Sequence, residues 1–112
     1  MSVVDKIGVP ALLEQTAEEC CELAHACLKM ARKLRDENPT PKSVEDIRDD
    51  LVEEIADAHL CIGMITNYTD ILTNNELFDI ENAKRHRWEA RLNAHMDLEE
   101  KEEELDDVVY SD

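Results

Sequence analysis

A chain of 112 residues suffices for one compact domain and falls short of two. Apolar residues make up 43%, yet Gly and Pro are few (2 and 3) and no stretch alternates as a strand does, so helices are expected throughout. The net charge of −16 disfavours non-specific binding to duplex nucleic acid, which demands basic patches, and no uninterrupted apolar run approaches membrane-spanning length.

Residues 1–9 read as a short lead-in, without the basic region and apolar run of a signal peptide, which predicts a cytoplasmic protein. Pro10 then suits the first turn of a helix, where its missing N–H costs nothing. From Ala11 to about Asp36 helix formers dominate, and Leu13, Ala17, Cys20, Ala24, Cys27 and Ala31 step by four and three as a packing seam. Asn38-Pro39-Thr40-Pro41 ends this first helix, because residues before proline avoid the helical region.

Ser43, with Asp46 three residues on, resembles a capping box and opens a second helix. Its seam is Leu51, Ile55, Ala58, Ile62 and Ile65, and it runs to about Leu72. Thr73-Asn74-Asn75 is a turn and cap cluster before a third helix from Glu76, whose apolar positions are Leu77, Ile80, Trp88 and Leu92. The centre of this helix is the one basic part of the chain: Lys84, Arg85, His86, Arg87 and Arg91. Between Asp97 and Asp112 nine acids face one lysine, so half of the net charge lies there. The expected organisation is a domain over residues 1–96 and an acidic tail over 97–112, partly helical or disordered, with disorder beyond Leu105. The fold class expected is all-α: a small helical bundle whose thin core is completed by oligomerisation.

Cys20, Cys21, Cys27 and Cys61 lie inside helical patterns, and none forms a CxxC pair. They read as small packing thiols of a reducing compartment.

Two acidic clusters remain, Glu18-Glu19-Cys20-Cys21-Glu22 and Glu53-Glu54-Ile55-Ala56-Asp57. Glu19 and Glu22 are three apart, as are Glu54 and Asp57, and such pairs project from one helix face. At about 100° per residue, Glu54 and Asp57 fall on the flank of the second seam while Glu53 points nearly away from it. Like charges stacked in this way destabilise an isolated helix, and either cluster alone is an ordinary solvated flank. Two of them on consecutive helices ask for a shared divalent cation, since hard ions such as Mg²⁺ take carboxylate oxygens.

Glu18-Glu19-x-x-Glu22 followed by Glu54-x-x-Asp57 resembles the EExxE…ExxD signature of the all-α nucleoside triphosphate pyrophosphohydrolases, the MazG-like superfamily that also holds dimeric dUTPases. Lys84-Arg85-His86-Arg87-Trp88 lies where these proteins often carry basic residues, so the resemblance spans roughly Leu12 to Leu92. It implies hydrolysis of a nucleoside triphosphate to the monophosphate and pyrophosphate, with Mg²⁺ (or Mn²⁺) as cofactor, in a homodimer or homotetramer. Glu19, Glu22, Glu54 and Asp57 match the metal ligands, and Glu18 matches the leading acid, which orients a ligand or the attacking water. Lys84 and Arg87 match phosphate-holding residues.

Two other readings attach to particular residues. The acidic run from Asp97 onward suits a non-enzymatic helical module that binds a basic protein partner. Glu22-x-x-His25 is the unit of di-iron carboxylate bundles, but the second helix offers Asp57 where the matching histidine would stand.

Overall fold

The computed structural model describes residues 2–37 and 41–110, with side chains as far as residue 105. Four α-helices make up the architecture: α1 (Val3–Ile7), α2 (Val9–Arg35), α3 (Val44–Tyr68) and α4 (Asn74–Tyr110), with no strand among the described residues. The all-α expectation holds. No helix among these residues is long and apolar enough to cross a membrane.

The chain divides into two compact units, Met1–Thr73 and Asn74–Asp112. The first holds α1, α2 and α3; the second is α4. The boundary expected after residue 96 falls inside α4, and the helix continues past Leu105 to Tyr110, where disorder was expected. The run Glu99-Glu100-Lys101-Glu102-Glu103-Glu104 explains the continuation, since glutamate and lysine rank among the better helix formers.

Helix starts follow local chemistry. The Ser2 hydroxyl accepts from the Asp5 N–H at 3.2 Å, and the Asp5 carboxylate accepts from the Ser2 N–H at 3.1 Å, a complete capping box for α1. Gly8, at φ 84°, then turns the chain from α1 into α2; side chains other than glycine rarely adopt that φ. Pro10 sits in the first turn of α2, as expected. The Ser43 hydroxyl accepts from the Asp46 N–H at 3.1 Å and so caps α3. Ser43→Ala therefore destabilises the fold by about 1 kcal/mol, read as a lower midpoint in urea unfolding at unchanged slope.

Helix ends show where propensity gives way. Asp36 takes the left-handed conformation (φ 56°) at the end of α2. The expected stop at Asn38-Pro39-Thr40 lies outside the described residues. Helix α3 ends at Tyr68, short of Leu72, because the Thr69 hydroxyl accepts from the Ile71 N–H at 3.3 Å and makes a local turn that competes with the helix.

Within the first unit α2 and α3 pack along each other. Ala26 and Lys29 lie by Ile47 and Asp50, while Leu12 and Gln15 lie by Cys61 and Met64, so the two helices run antiparallel. The short α1 packs on α2. The core is Val4, Leu12, Ala26, Ile47, Ala58 and Cys61, with Leu12 only 1% exposed.

The packing stripe of α2 is one residue away from the expected seam. Leu12, Thr16, Glu19, Leu23, Ala26 and Met30 are buried or half-buried, whereas of the expected seam only Ala31 is half-buried: Leu13 is 43% exposed and Ala17, Cys20, Ala24 and Cys27 are exposed. On α3 the seam holds at Leu51, Ala58 and Ile65 but not at Ile55 or Ile62, which are 48% and 44% exposed. Cys61 is buried as expected of a packing thiol; Cys20, Cys21 and Cys27 are exposed. The cause is that α2 carries two adjacent apolar stripes, and a periodicity of 3.6 cannot say which of them meets α3.

Candidate metal centre

The shift of the stripe decides where the acids stand. Glu19 on α2 and Glu54 on α3 lie within the packed faces and are half-buried. Glu22 and Asp57 follow one turn later on their helices and are exposed. Because α2 and α3 are antiparallel, these two turns meet. Glu19, Glu22, Glu54 and Asp57 each offer a carboxylate oxygen, and the four atoms lie within 4.8 Å of one another.

One oxygen on each helix of this cluster is left without a partner. Glu19 Oε2 and Glu54 Oε2 are both buried and accept no hydrogen bond. A buried polar atom without a partner is costly, and a carboxylate oxygen is costlier than a neutral one. The other oxygen of Glu19, Oε1, accepts from the Gln15 amide at 2.8 Å.

The Glu19 pKa is raised above its ordinary value of 4.5, chiefly because burial disfavours the charged form. The Gln15 hydrogen bond works against the rise, and the charges of Glu22 and Asp57 add to it. Burial also pushes up the thiol of Cys61, with the charges of Glu19 and Asp57 contributing. The donor set is hard oxygen in a tight group, partly dry and strongly anionic, which is the chemistry that fits Mg²⁺ or Mn²⁺.

Two cavities adjoin the cluster. One, of about 290 Å³, is lined by Glu22 and Glu54 together with His25, Lys29, Ile47 and Asp50. The other, of about 310 Å³, takes in Glu19 and Asp57 with an apolar wall that includes Val3, Ile7, Leu60 and Met64.

Three further residues were expected at the site: Glu18, Lys84 and Arg87. Glu18 is exposed on α2 and is not one of the four clustered acids. Lys84 and Arg87 lie on α4, in the second unit, where with Trp88 and Arg91 they line a cavity of about 340 Å³. Gln15 and Lys29 were not singled out from the sequence, although the signal was available. Gln15 precedes Glu19 by four residues, and Lys29 follows Glu22 by seven, so each shares a face with its acid.

Comparison of this chain with models of known protein families, with curated proteins and with solved structures finds no match.

Proposed function

We propose that the protein is a Mg²⁺-dependent nucleotide pyrophosphohydrolase of the MazG-like all-α kind, cleaving (d)NTP to (d)NMP and pyrophosphate in the cytoplasm. Such an activity would serve house-cleaning or control of nucleotide pools. The observation that carries the reading is the meeting of the two acidic motifs, four carboxylates within 4.8 Å, with an unpartnered buried oxygen on each helix.

Glu19, Glu22, Glu54 and Asp57 would hold the ion. Once bound, Mg²⁺ supplies charge neutralisation at the phosphate oxygens and a lowered pKa for water. The residues' own part is positional. Glu19 and Glu54 hold their oxygens inside the helix pair, where water competes least, and Gln15 orients Glu19 by its hydrogen bond. Glu22 and Asp57 are exposed and so leave the cluster open to a ligand arriving from solvent. The resemblance alone supports Lys84 and Arg87 as phosphate-binding residues.

The reading includes a homodimer or homotetramer. Leu13, Ile55 and Ile62 are 43%, 48% and 44% exposed, apolar side chains that a second subunit would cover.

Pyrophosphate release across a panel of NTPs and dNTPs tests the activity. Release is expected with Mg²⁺ or Mn²⁺ and not in excess chelator. Silence from folded protein across the whole panel with both cations overturns the proposal.

A further inference from the structure

We propose that a nucleoside polyphosphate lies across the carboxylate cluster in one direction, its outer phosphates in the cavity of Lys29 and His25 and its nucleoside end against the apolar wall beside α1. This rests on the pyrophosphohydrolase reading and adds the polarity of the bound substrate and the residues that set it.

The two cavities share the four acids between them. Glu22 and Glu54 border one and Glu19 and Asp57 the other, so a ligand held at the cluster has an end for each. Their walls differ in kind. The cavity on the Glu22 side holds both basic groups of the site, Lys29 and His25. Neither makes a hydrogen bond or ion pair among the described residues, while Asp50 in the same wall is engaged by Lys42 at 2.9 Å. An ammonium without a partner beside an anionic cluster is a ready point charge for a phosphate oxygen.

The cavity on the Glu19 side has no basic group in its lining. Its wall is apolar: Val3 and Ile7 from α1, Leu60 and Met64 from α3. A polyphosphate end placed there would meet Glu19 and Asp57 with no basic group to offset them. A base and sugar placed there would cover side chains that are now about half exposed, Val3 at 49% and Ile7 at 47%. The short α1 thereby acquires a role, since the capping box at Ser2 and the turn at Gly8 set its apolar side along this wall.

Helical spacing explains how α2 does this. Glu22, His25 and Lys29 fall on one face at steps of three and four, so the ligand acid and the basic groups share a wall.

Calorimetry with full-length protein separates the two ends. The probes are Mn²⁺ alone, inorganic pyrophosphate with Mg²⁺, and a non-hydrolysable nucleoside triphosphate with Mg²⁺. Lys29→Met should weaken pyrophosphate and the nucleotide alike, by about tenfold, the worth of one charged hydrogen bond, and leave Mn²⁺ affinity unchanged. Ile7→Ser should weaken the nucleotide by about fivefold and leave pyrophosphate alone, since one apolar contact is lost. Both positions are exposed, and retained Mn²⁺ binding shows that each variant is folded. Unchanged pyrophosphate affinity in Lys29→Met, or equal loss of both ligands in Ile7→Ser, overturns the polarity while leaving the pyrophosphohydrolase reading intact. Wild-type protein that binds neither pyrophosphate nor nucleotide with Mg²⁺ overturns both.

Discussion

Under the proposed pyrophosphohydrolase activity, Glu54→Gln is expected to lower Mg²⁺-dependent pyrophosphate release by about 10²–10³-fold in kcat/KM, the scale on which loss of one preorganised charged group acts. The same variant is expected to be more stable than wild type when no metal is present. Glutamine keeps the shape of the side chain and removes one of four carboxylates packed within 4.8 Å. It also replaces an oxygen, Oε2, that is buried and accepts nothing. In metal-free protein that charge faces three other carboxylates and its buried oxygen has no partner, so its removal is expected to raise Tm by roughly 2–4 °C.

The opposite signs are what give this experiment its reach. A glutamate kept for structure loses stability when it is neutralised, and activity falls along with the fold. A glutamate kept for a ligand does the reverse, because strain carried in the empty site is released. Thermal unfolding in chelator and steady-state pyrophosphate release, on the same preparations, read both quantities. Loss of activity together with a lowered Tm would assign Glu54 to the fold, and retained activity would remove it from the site.

The sequence made the helices legible because their boundaries are written in short-range chemistry. Pro10 stands in the first turn of α2 and Ser43 caps α3, each acting over one turn, and both are where the residues indicated. The four acids that cluster were legible for the same reason, since spacing of three on a helix fixes a shared face. What could not be read was which face turned inward. Leu13 and Leu12 are adjacent leucines on a helix apolar on two sides, and only the partner helix decides between them. That one-residue difference matters to the site, for the stripe that packs contains Glu19 where the expected seam had Cys20. Lys29 and Gln15 escaped notice because a lone lysine or glutamine on a charged helix has no pattern, and their meaning comes from the cavities and acids beside them.

Addition of Mg²⁺ is expected to stabilise the protein, and the size of the effect is expected to grow with pH. An ion that binds the folded chain alone contributes RT ln(1 + [L]/Kd), about 2.7 kcal/mol at a hundred times Kd, which for a chain of this size is roughly 10 °C in Tm. Glu19 supplies the pH dependence. Burial raises its pKa above 4.5, and the charges of Glu22 and Asp57 push the same way. The folded protein thus holds this proton more tightly than the unfolded one. Its contribution to stability is fully present below the unfolded value and is lost as pH rises through the folded one. Over that same window, from about 4.5 upward, the proton leaves an oxygen that a cation can take, so metal stabilisation rises as the intrinsic contribution falls. The difference in Tm with and without Mg²⁺ at fixed ionic strength therefore grows as pH rises above about 4.5. Taking the difference cancels the titration of acids remote from the cluster, which matters in a chain of net charge −16. Gln15→Leu sharpens the assignment. It deletes the 2.8 Å hydrogen bond that holds the Glu19 pKa down, so the rise in metal stabilisation shifts to higher pH. A Mg²⁺ effect that is flat with pH, or that survives unchanged in Glu54→Gln, would place the bound ion away from the α2–α3 carboxylates.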